Sequence, residues 1–490
     1  MATPNPSWSR LIPSQVRAER RGRSTQRGVA LALVATLGAY WVPTVDAADW
    51  TFTPRVALTG IWTDNISLAA EAQRESEWIT ELKPGFLLEA DGRRVQAQLD
   101  YNLQALWYAD NSQLDDVYHQ LNGTADLVIL PEMLFLDTFA RFDQQSVDAG
   151  GRVAYSNLFE TGNRTDTLVF GASPYHVGRW GDWGESLLRY DYQAVRYSNT
   201  DQGVPPPEDS DSDTVSASLG SPTSARGFSW RTSGSYTRTE FDAADEFEYA
   251  RVALDLGVPV GLRTRLTGTV GQESDVAEDS TRGGLDSSFW YVGFAWSPSE
   301  LQSVEALVGE RFFGTAWEVH WRRRGSRGEL GLDYTEEPNT SSGVLGDETI
   351  FQPDLRPGGV ATLDSRVFLQ KRLAANASYE FTRSVLLARV YSDRREYQDV
   401  AGGRESSYGA TLAYDWEAAV RTRIGITLDF ERRDFESDRT DDFGEASVRL
   451  TRQMTRTVSG VIRASHFRRD SDAGDDYRVN QVSIGVEATF

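Results

Sequence analysis

The residue types that most often carry catalysis or bind metal ions are few and scattered in this sequence. There is no cysteine, so neither a disulfide framework nor a thiolate metal site can form. The four histidines, His119, His176, His320 and His466, are far apart along the chain. A zinc site built on histidine needs several such ligands close together. The sequence therefore predicts neither a metal centre nor a cofactor.

One serine–histidine pair, Ser465 and His466, suggests the hypothesis of a hydrolase active site. Both residues lie in a predicted strand, where adjacent side chains point to opposite faces, so they cannot readily act as nucleophile and base. His119 lies beside Gln120 and Asn122 in another predicted strand, and no serine has the setting of a nucleophile elbow. We expect no enzymatic activity, and a barrel enzyme that modifies lipid or sugar is the weakest alternative.

Two acidic clusters are the remaining candidates for a metal site. Asp209, Asp211 and Asp213 alternate in one predicted loop, and a second cluster lies at 470–476. Calcium takes about six to eight oxygen ligands at fixed spacing, and neither cluster has the glycine and closing glutamate of a hand-type site. We interpret both as solvated acidic loops.

The overall charge excludes two classes of protein. The net charge is −22, and the first 47 residues carry six arginines against two acids, so the remainder is more acidic still. Such a surface repels nucleic acid, whose binding depends on neutralised phosphates. Charged residues make up 25% of the chain, too many for a helical membrane protein. The acidity indicates solvated loops, with a preference for cations as the alternative.

The beginning of the chain has the pattern of an export signal. Several arginines between Arg17 and Arg27 precede an apolar run over 28–42, and small residues end at Ala47. The apolar run is shorter than the roughly 20 residues of a spanning helix. We therefore predict a secretory signal peptide at 1–47, cleaved after Ala47, and a mature protein at 48–490.

The mature sequence repeats an alternation of apolar and polar residues with period two. From Val95 to Trp107 every odd position is apolar, and nearly every even position is polar. This pattern predicts a strand with one greasy face, long enough to cross a bilayer when tilted. Similar segments recur throughout the chain, and tryptophans lie near the predicted strand ends, as in an interfacial girdle.

The connections between these segments alternate between short and long. Tight turns are predicted around 91–93, 130–133, 258–261, 297–300 and 382–384. Long polar loops are predicted at 64–75, 143–164, 199–213, 273–286 and 336–362. Short periplasmic turns and long outer loops are typical of outer-membrane barrels. We predict an all-β fold, a single large antiparallel transmembrane β-barrel over 48–490 with about 22 strands (16–24 acceptable). A soluble β-sandwich or propeller is the alternative.

The last predicted strand ends on an aromatic residue. Its apolar face comprises Val482, Ile484, Val486, Ala488 and Phe490. This looks like the C-terminal signature by which outer-membrane barrels are recognised for assembly. We expect the barrel-assembly machinery and outer-membrane lipid as partners, and a Gram-negative outer membrane as the location.

Charged residues fall on the opposite, inward face of several predicted strands. The alternation assigns nine of them to the lumen: Arg189, Asp191, Arg423, Asp429, Glu431, Glu445, Arg449, Arg463 and Glu487. Opposite charges on neighbouring strands can pair across the sheet. Two interpretations stay open, a polar path for hydrophilic solutes and a set of charges that only brace the wall. The loop at 336–362 is long enough to fold into the lumen and narrow it.

The order of motifs in the first part of the mature chain resembles that of a known family. The motifs are Trp62–Ile66, Lys83–Phe86, Asp100–Tyr101 and Phe135–Asp137, with the likeness clearest over 48–145. They resemble an uncharacterised outer-membrane β-barrel family associated with the PEP-CTERM/exosortase system and exopolysaccharide loci. The resemblance implies an outer-membrane location and a part in moving or anchoring surface polysaccharide. It implies no catalytic residues.

The first functional hypothesis is therefore a channel-like, porin-like component of exopolysaccharide export, with exopolysaccharide and its export proteins as partners. The alternative is a structural barrel, closed inside, whose outer loops bind surface polymer.

Overall fold

The computed structural model describes residues 48–154, 156–222, 227–346, 362–398 and 403–490. The predicted signal peptide lies outside these residues, so cleavage after Ala47 stays a prediction. Over the described residues, 22 strands form one antiparallel sheet that closes on itself through pairing of the first strand with the last. The predicted all-β barrel and its predicted strand number are both confirmed.

The strands follow one another around the barrel in chain order. They are β1 (Asp49–Thr63), β2 (Glu77–Asp91), β3 (Val95–Tyr108), β4 (Asp116–Leu130), β5 (Leu134–Ser146), β6 (Arg164–Arg179), β7 (Glu185–Ser198), β8 (Ser210–Gly220), β9 (Ser229–Phe241), β10 (Phe247–Pro259), β11 (Thr264–Glu273), β12 (Ser287–Ser299), β13 (Gln302–Arg311), β14 (Gly314–Arg324), β15 (Gly328–Thr340), β16 (Val367–Glu380), β17 (Ser384–Tyr397), β18 (Arg404–Ala419), β19 (Thr422–Asp434), β20 (Thr440–Gln453), β21 (Val458–Ser471) and β22 (Tyr477–Thr489).

In the described part of the chain, helical structure occurs only in short pieces. One α-helix, α1 (Ser341–Gly346), follows β15, and single 3₁₀ turns occur at Glu71–Gln73 and Ser112–Leu114. Among the described residues, no helix is long and apolar enough to cross a membrane.

Closure of the sheet pairs the backbone hydrogen-bonding groups of every strand and leaves an apolar outer wall. β1 pairs with β22 from Arg55↔Thr489 to Thr63↔Gln481, so the sheet has no free edge. A barrel without edges is one of the two ways in which a backbone can cross hydrocarbon with its polar groups paired. On the outside, side chains such as Val390 remain 54% exposed. These apolar faces are the ones that the period-two pattern predicts for contact with lipid.

The two ends of the barrel differ in the length of their connections. Short turns such as 92–94, 131–133 and 381–383 lie at one end, called here the short-turn end. The connections 64–76, 147–163, 199–209, 274–286 and 341–366 lie at the other, the long-loop end. The predicted alternation of turns and loops is therefore confirmed.

The strands extend further into the long-loop end than predicted. β5 continues to Ser146, β8 begins at Ser210 and β15 continues to Thr340. The predicted loops at 143–164, 199–213 and 336–362 are too long by these residues. Polar side chains dominate in these strand extensions, so the hydropathy pattern predicts a loop. The backbone nevertheless keeps pairing beyond the lipid, because the neighbouring strand continues as well.

Tryptophans on the outer wall form a girdle at each end. Trp78 and Trp107 lie towards the long-loop end and are 61% and 46% exposed, while Trp180 and Trp183 lie at the short-turn end and are 49% and 60% exposed. Amphipathic rings of this kind favour the headgroup region on each side of a bilayer. The apolar band between the girdles is the membrane-spanning zone.

Candidate functional site: a polar cavity behind two inserted loops

The lumen contains a polar cavity with a volume of about 1830 Å³ that reaches the short-turn end. Its rim at the short-turn end is formed by the connections at 380–384 and 419–422. Amide side chains of β3 and β4, including Gln98, Asn102 and Asn122, line one wall. Hydroxyl groups such as that of Ser447 line another. The cavity therefore offers many hydrogen-bond donors and acceptors to a hydrophilic solute.

Six of the nine residues predicted to face the lumen line this cavity. They are Arg423, Asp429, Glu445, Arg449, Arg463 and Glu487. The other three lie elsewhere on the inner wall. Arg189 of β7 donates to Asp137 at 2.9 Å and to Asp191 at 2.6 Å, and Glu431 forms a buried ion pair with Arg433. The structure thus places part of the predicted set in one cavity and part in separate ion pairs.

Two ion pairs of the cavity are exposed, while in a third, Arg463–Glu445, the carboxylate side chain is only 2% exposed. Arg449 Nη2 lies 2.8 Å from Glu487 Oε1, and the two side chains are 49% and 42% exposed. Arg423 and Glu417 are 3.5 Å apart and 64% and 60% exposed. Water screens such pairs, so each contributes little to stability and can exchange its partner with a solute.

The β5–β6 connection folds into the barrel, which the sequence analysis missed. Val153 and Leu158 are buried against the inner faces of the strands on either side of the β1–β22 seam. Tyr108 Oη donates to Leu158 O at 3.0 Å, and Tyr477 Oη donates to Val153 O at 2.6 Å. The apolar residues inside an otherwise polar loop were the available signal, since a solvated loop has no use for them.

A fully buried arginine holds this loop against the wall. Arg469 of β21 donates to Gly151 O at 2.8 Å and to Gly150 O at 3.0 Å. It also lies 2.6 Å from Asp441, and both side chains have no exposure to solvent. Asp441 is further paired with Arg439 at 3.0 Å. Buried charges persist only when neutralised and hydrogen-bonded, and here the loop carbonyls supply part of that compensation.

The segment after β15 folds into the lumen, as the sequence predicted, over its described residues. Leu345 of α1 packs with Leu363 against Val169 of β6 and Val195 of β7, in a different sector of the barrel. Gln193 Nε2 donates to Ser342 O at 2.8 Å. The predicted loop's residues 347–361 lie outside the described part of the chain.

The two inserted segments touch each other. Leu363 N donates to Val147 O at 2.9 Å, which joins the 341–366 connection to the loop at 147–163. Arg366 anchors the same connection through Asp364 at 2.9 Å and Glu436 at 3.1 Å. Burial alone would lower the pKa of Arg366, but these carboxylates outweigh it and raise that pKa. The described residues of both segments thus pack against the inner wall in the long-loop half of the lumen.

The histidines do not converge. His119 bonds Tyr101 Oη at 2.7 Å and His466 bonds Asn480 Oδ1 at 2.9 Å, both exposed, whereas Ser465 is buried. Register places His466 and Ser465 on opposite faces, as predicted. In the described part of the chain, no group of three or more histidine or acidic side chains could hold a metal ion.

The first acidic cluster is not a loop. Asp211 and Asp213 lie in β8, so the prediction of a solvated loop over all three aspartates is wrong. Asp211 accepts a hydrogen bond from Tyr192 at 2.6 Å and pairs with Arg196 at 2.6 Å. The alternation Asp–Ser–Asp is therefore strand periodicity, with the acids on one face and cross-strand partners beside them.

The predicted assembly residues share the outer face of β22. Val482, Ile484, Val486 and Phe490 are 47%, 64%, 47% and 70% exposed, and Ala488 shares the alternation. Phe490 N donates to Pro54 O at 3.0 Å at the seam. Their geometry suits a lipid-facing terminal strand, while recognition during assembly stays a prediction.

No protein-family model and no curated protein matches the chain. Several solved structures match the chain. The siderophore receptor PirA from Pseudomonas aeruginosa is similar at 12% identity with a TM-score of 0.43, over 89% of this chain and 80% of that chain. A mutant of the ferric enterobactin receptor PfeA from the same organism is similar at 10% identity and 0.48, over 91% and 81%. OccAB3 from Acinetobacter baumannii is similar at 9% identity and 0.34, over 90% and 99%. These likenesses assign no ligand and no activity to this chain.

Proposed function

We propose that the protein is a channel-like β-barrel of the outer membrane that handles a hydrophilic polymer. The observation that carries the proposal is the polar cavity of about 1830 Å³, which reaches the short-turn end of a barrel with a greasy outer wall. The exposed ion pairs and amide side chains of the cavity can replace the water around a polar solute. The described parts of the two inserted loops lie in the long-loop half of the lumen, where they would control passage towards that end.

The proposed polymer is an exopolysaccharide, and its export proteins are the proposed partners. Two features support this. The first part of the chain resembles outer-membrane barrels associated with the PEP-CTERM/exosortase system and exopolysaccharide loci. The cavity wall is also rich in amides and hydroxyls, which hydrogen-bond sugar hydroxyl groups without demanding a particular charge.

A second candidate is a structural barrel that binds surface polymer with its loops. It is favoured by one observation, the firm docking of 147–163 through Arg469, which would keep the long-loop half occupied. The two candidates differ in whether ions pass through the lumen.

The test is single-channel conductance of the refolded mature protein in a planar bilayer, with and without polysaccharide. The first deletion variant replaces 341–364 by a short Gly-Ser linker, which removes α1 while β15 and β16 stay complete. A control variant shortens the 199–209 loop by a similar fraction. We expect the first deletion to raise conductance, the control to leave it unchanged, and polysaccharide to block the steps. Insertion without conductance in every variant would refute the channel and favour the structural barrel.

A further inference from the structure

A row of cations projects outward from the wall at the long-loop end. By register and alternation these side chains share the outer face of β16–β19, β21 and β22. On β19, for example, Arg432 follows the lipid-facing Phe430, which is 44% exposed. We call this row the basic belt; it comprises Lys371, Arg394, Arg404, Arg432, Arg468 and Arg478.

Like charges lie directly opposite each other within the basic belt. Lys371 pairs in register with Arg394, and Arg468 pairs in register with Arg478. Cations in such positions repel each other and destabilise the sheet unless an anion lies between them. The protein supplies fewer carboxylates than cations on this face. Lys371, Arg394 and Arg404 share Glu396, at 3.3, 3.0 and 3.6 Å. Arg432 lies 3.6 Å from Asp434 and 3.8 Å from Asp442, and Arg468 lies 3.3 Å from Asp470, so six cations face four carboxylates.

The opposite sector of the same rim has the reverse balance. On β9 the outward Arg238 contacts three carboxylates, Glu240 at 3.0 Å, Glu246 at 2.5 Å and Glu248 at 3.8 Å. The chain as a whole carries a net charge of −22. A cluster of cations on one side of an acidic protein therefore marks an anion-binding surface rather than the general composition.

The height of the basic belt along the strands identifies the kind of anion. On β17, Arg394 lies four residues, or two outward-facing positions, beyond the lipid-facing Val390. On β22, Arg478 lies the same number of residues from the lipid-facing Val482. Two outward positions correspond to about 13 Å along a strand, less when the strand tilts, which places the guanidinium groups just beyond the hydrocarbon.

We propose that the basic belt binds the phosphate groups of a phosphorylated glycolipid in the leaflet at the long-loop end. Guanidinium groups match phosphate oxygens in pairs of hydrogen bonds, and the acyl chains of such a lipid would cover the apolar band directly below. A bound phosphate would also relieve the Arg468–Arg478 pair, whereas Glu396 already contacts both members of the Lys371–Arg394 pair. The inference does not depend on whether the lumen conducts.

The experiment measures binding of bis-phosphorylated lipid A, and of the same lipid without phosphates, to the full mature protein in zwitterionic detergent. The test variant is Arg394→Gln/Arg432→Gln/Arg468→Gln, and the matched control is Arg238→Gln on the acidic sector. We expect about a 100-fold loss of lipid A affinity in the test variant, taking roughly fivefold per cation. The control should lose none, and Glu396→Gln should bind lipid A more tightly because it frees three cations.

Three results would overturn the proposal: equal affinity for the dephosphorylated lipid, unchanged affinity in the triple variant, or displacement of lipid A by inorganic phosphate at equal concentration. The last would indicate a site for free phosphate. Heat-dependent gel mobility reports folding of each variant. If the triple variant does not fold, Arg468→Gln alone serves, because it removes one cation from a repulsive pair and is expected to fold; it should bind about fivefold more weakly.

Discussion

Loss of the buried Arg469 should release the β5–β6 loop from the lumen. In the variant Arg469→Met the hydrocarbon of the side chain is kept, but the bonds to Gly150 O, Gly151 O and Asp441 are lost. Removing one partner of a buried ion pair costs about 3–5 kcal/mol. Since Arg439 still neutralises Asp441 from 3.0 Å, we take the lower value, about 3 kcal/mol.

This energy acts on the equilibrium between docked and released loop. About 3 kcal/mol corresponds to an increase of roughly 100-fold in the released fraction. The chain has no cysteine, so one introduced cysteine is a specific reporter. Ala149 is 2% exposed in the docked loop, and Ala149→Cys should react with a bulky maleimide only after release. We expect labelling about 100-fold faster in the Arg469→Met background.

A second buried arginine provides the control. Arg311 is as buried as Arg469, lies 2.7 Å from the equally buried Glu273, and makes no bond to 147–163 among its described contacts. Arg311→Met should destabilise the barrel comparably and leave labelling at position 149 nearly unchanged. Equal labelling rates with and without Arg469, or equal acceleration by Arg311→Met, would refute the idea that Arg469 holds the loop.

Two further predictions concern the cavity and the last strand. Acids already outnumber arginines in the lining of the cavity, and Arg449→Gln/Arg463→Gln enlarges that excess, so the reversal potential in a salt gradient should shift towards cations. The outward-facing Arg323→Gln should not change it. An unchanged potential in the double variant would show that these arginines lie outside the ion path. Phe490→Ala removes about 2 kcal/mol of apolar burial in lipid. This is a small loss for so large a barrel, so the variant should assemble more slowly while its final stability falls only slightly. Thr489→Ala is the control, and heat-dependent gel mobility over time is the measurement.

The barrel was predictable because a membrane imposes one rule on every strand. Lipid outside and water inside force apolar and polar residues to alternate, as from Val95 to Trp107, and each strand repeats the signal independently. The alternation of short and long connections then follows from the antiparallel order. The same rule assigned Arg423 and Glu487 to the lumen without any knowledge of their partners.

The interior of the long-loop half was not predictable in this way. The contact of Arg469 with Gly151 joins residues 318 positions apart, and nothing local in either segment identifies the other. The apolar residues of 147–163 indicated burial but not where. Asp211 was misassigned because an acidic alternation resembles a loop in composition, while its partner Arg196 lies on the neighbouring strand.

The charged residues of the lumen differ in their exposure at different heights of the barrel. Near the inserted loops, Arg469 and Asp441 have no exposure, and Glu431 is 11% exposed, so these charges serve to hold structure. Around the cavity, Arg449 and Glu487 are 49% and 42% exposed and contribute little to stability. This difference in exposure can be checked by measuring both ion selectivity and loop release in variants of each kind. Substitution of Arg449 should change ion selectivity but not loop release, and substitution of Arg469 should release the loop while the selectivity set by the cavity charges persists.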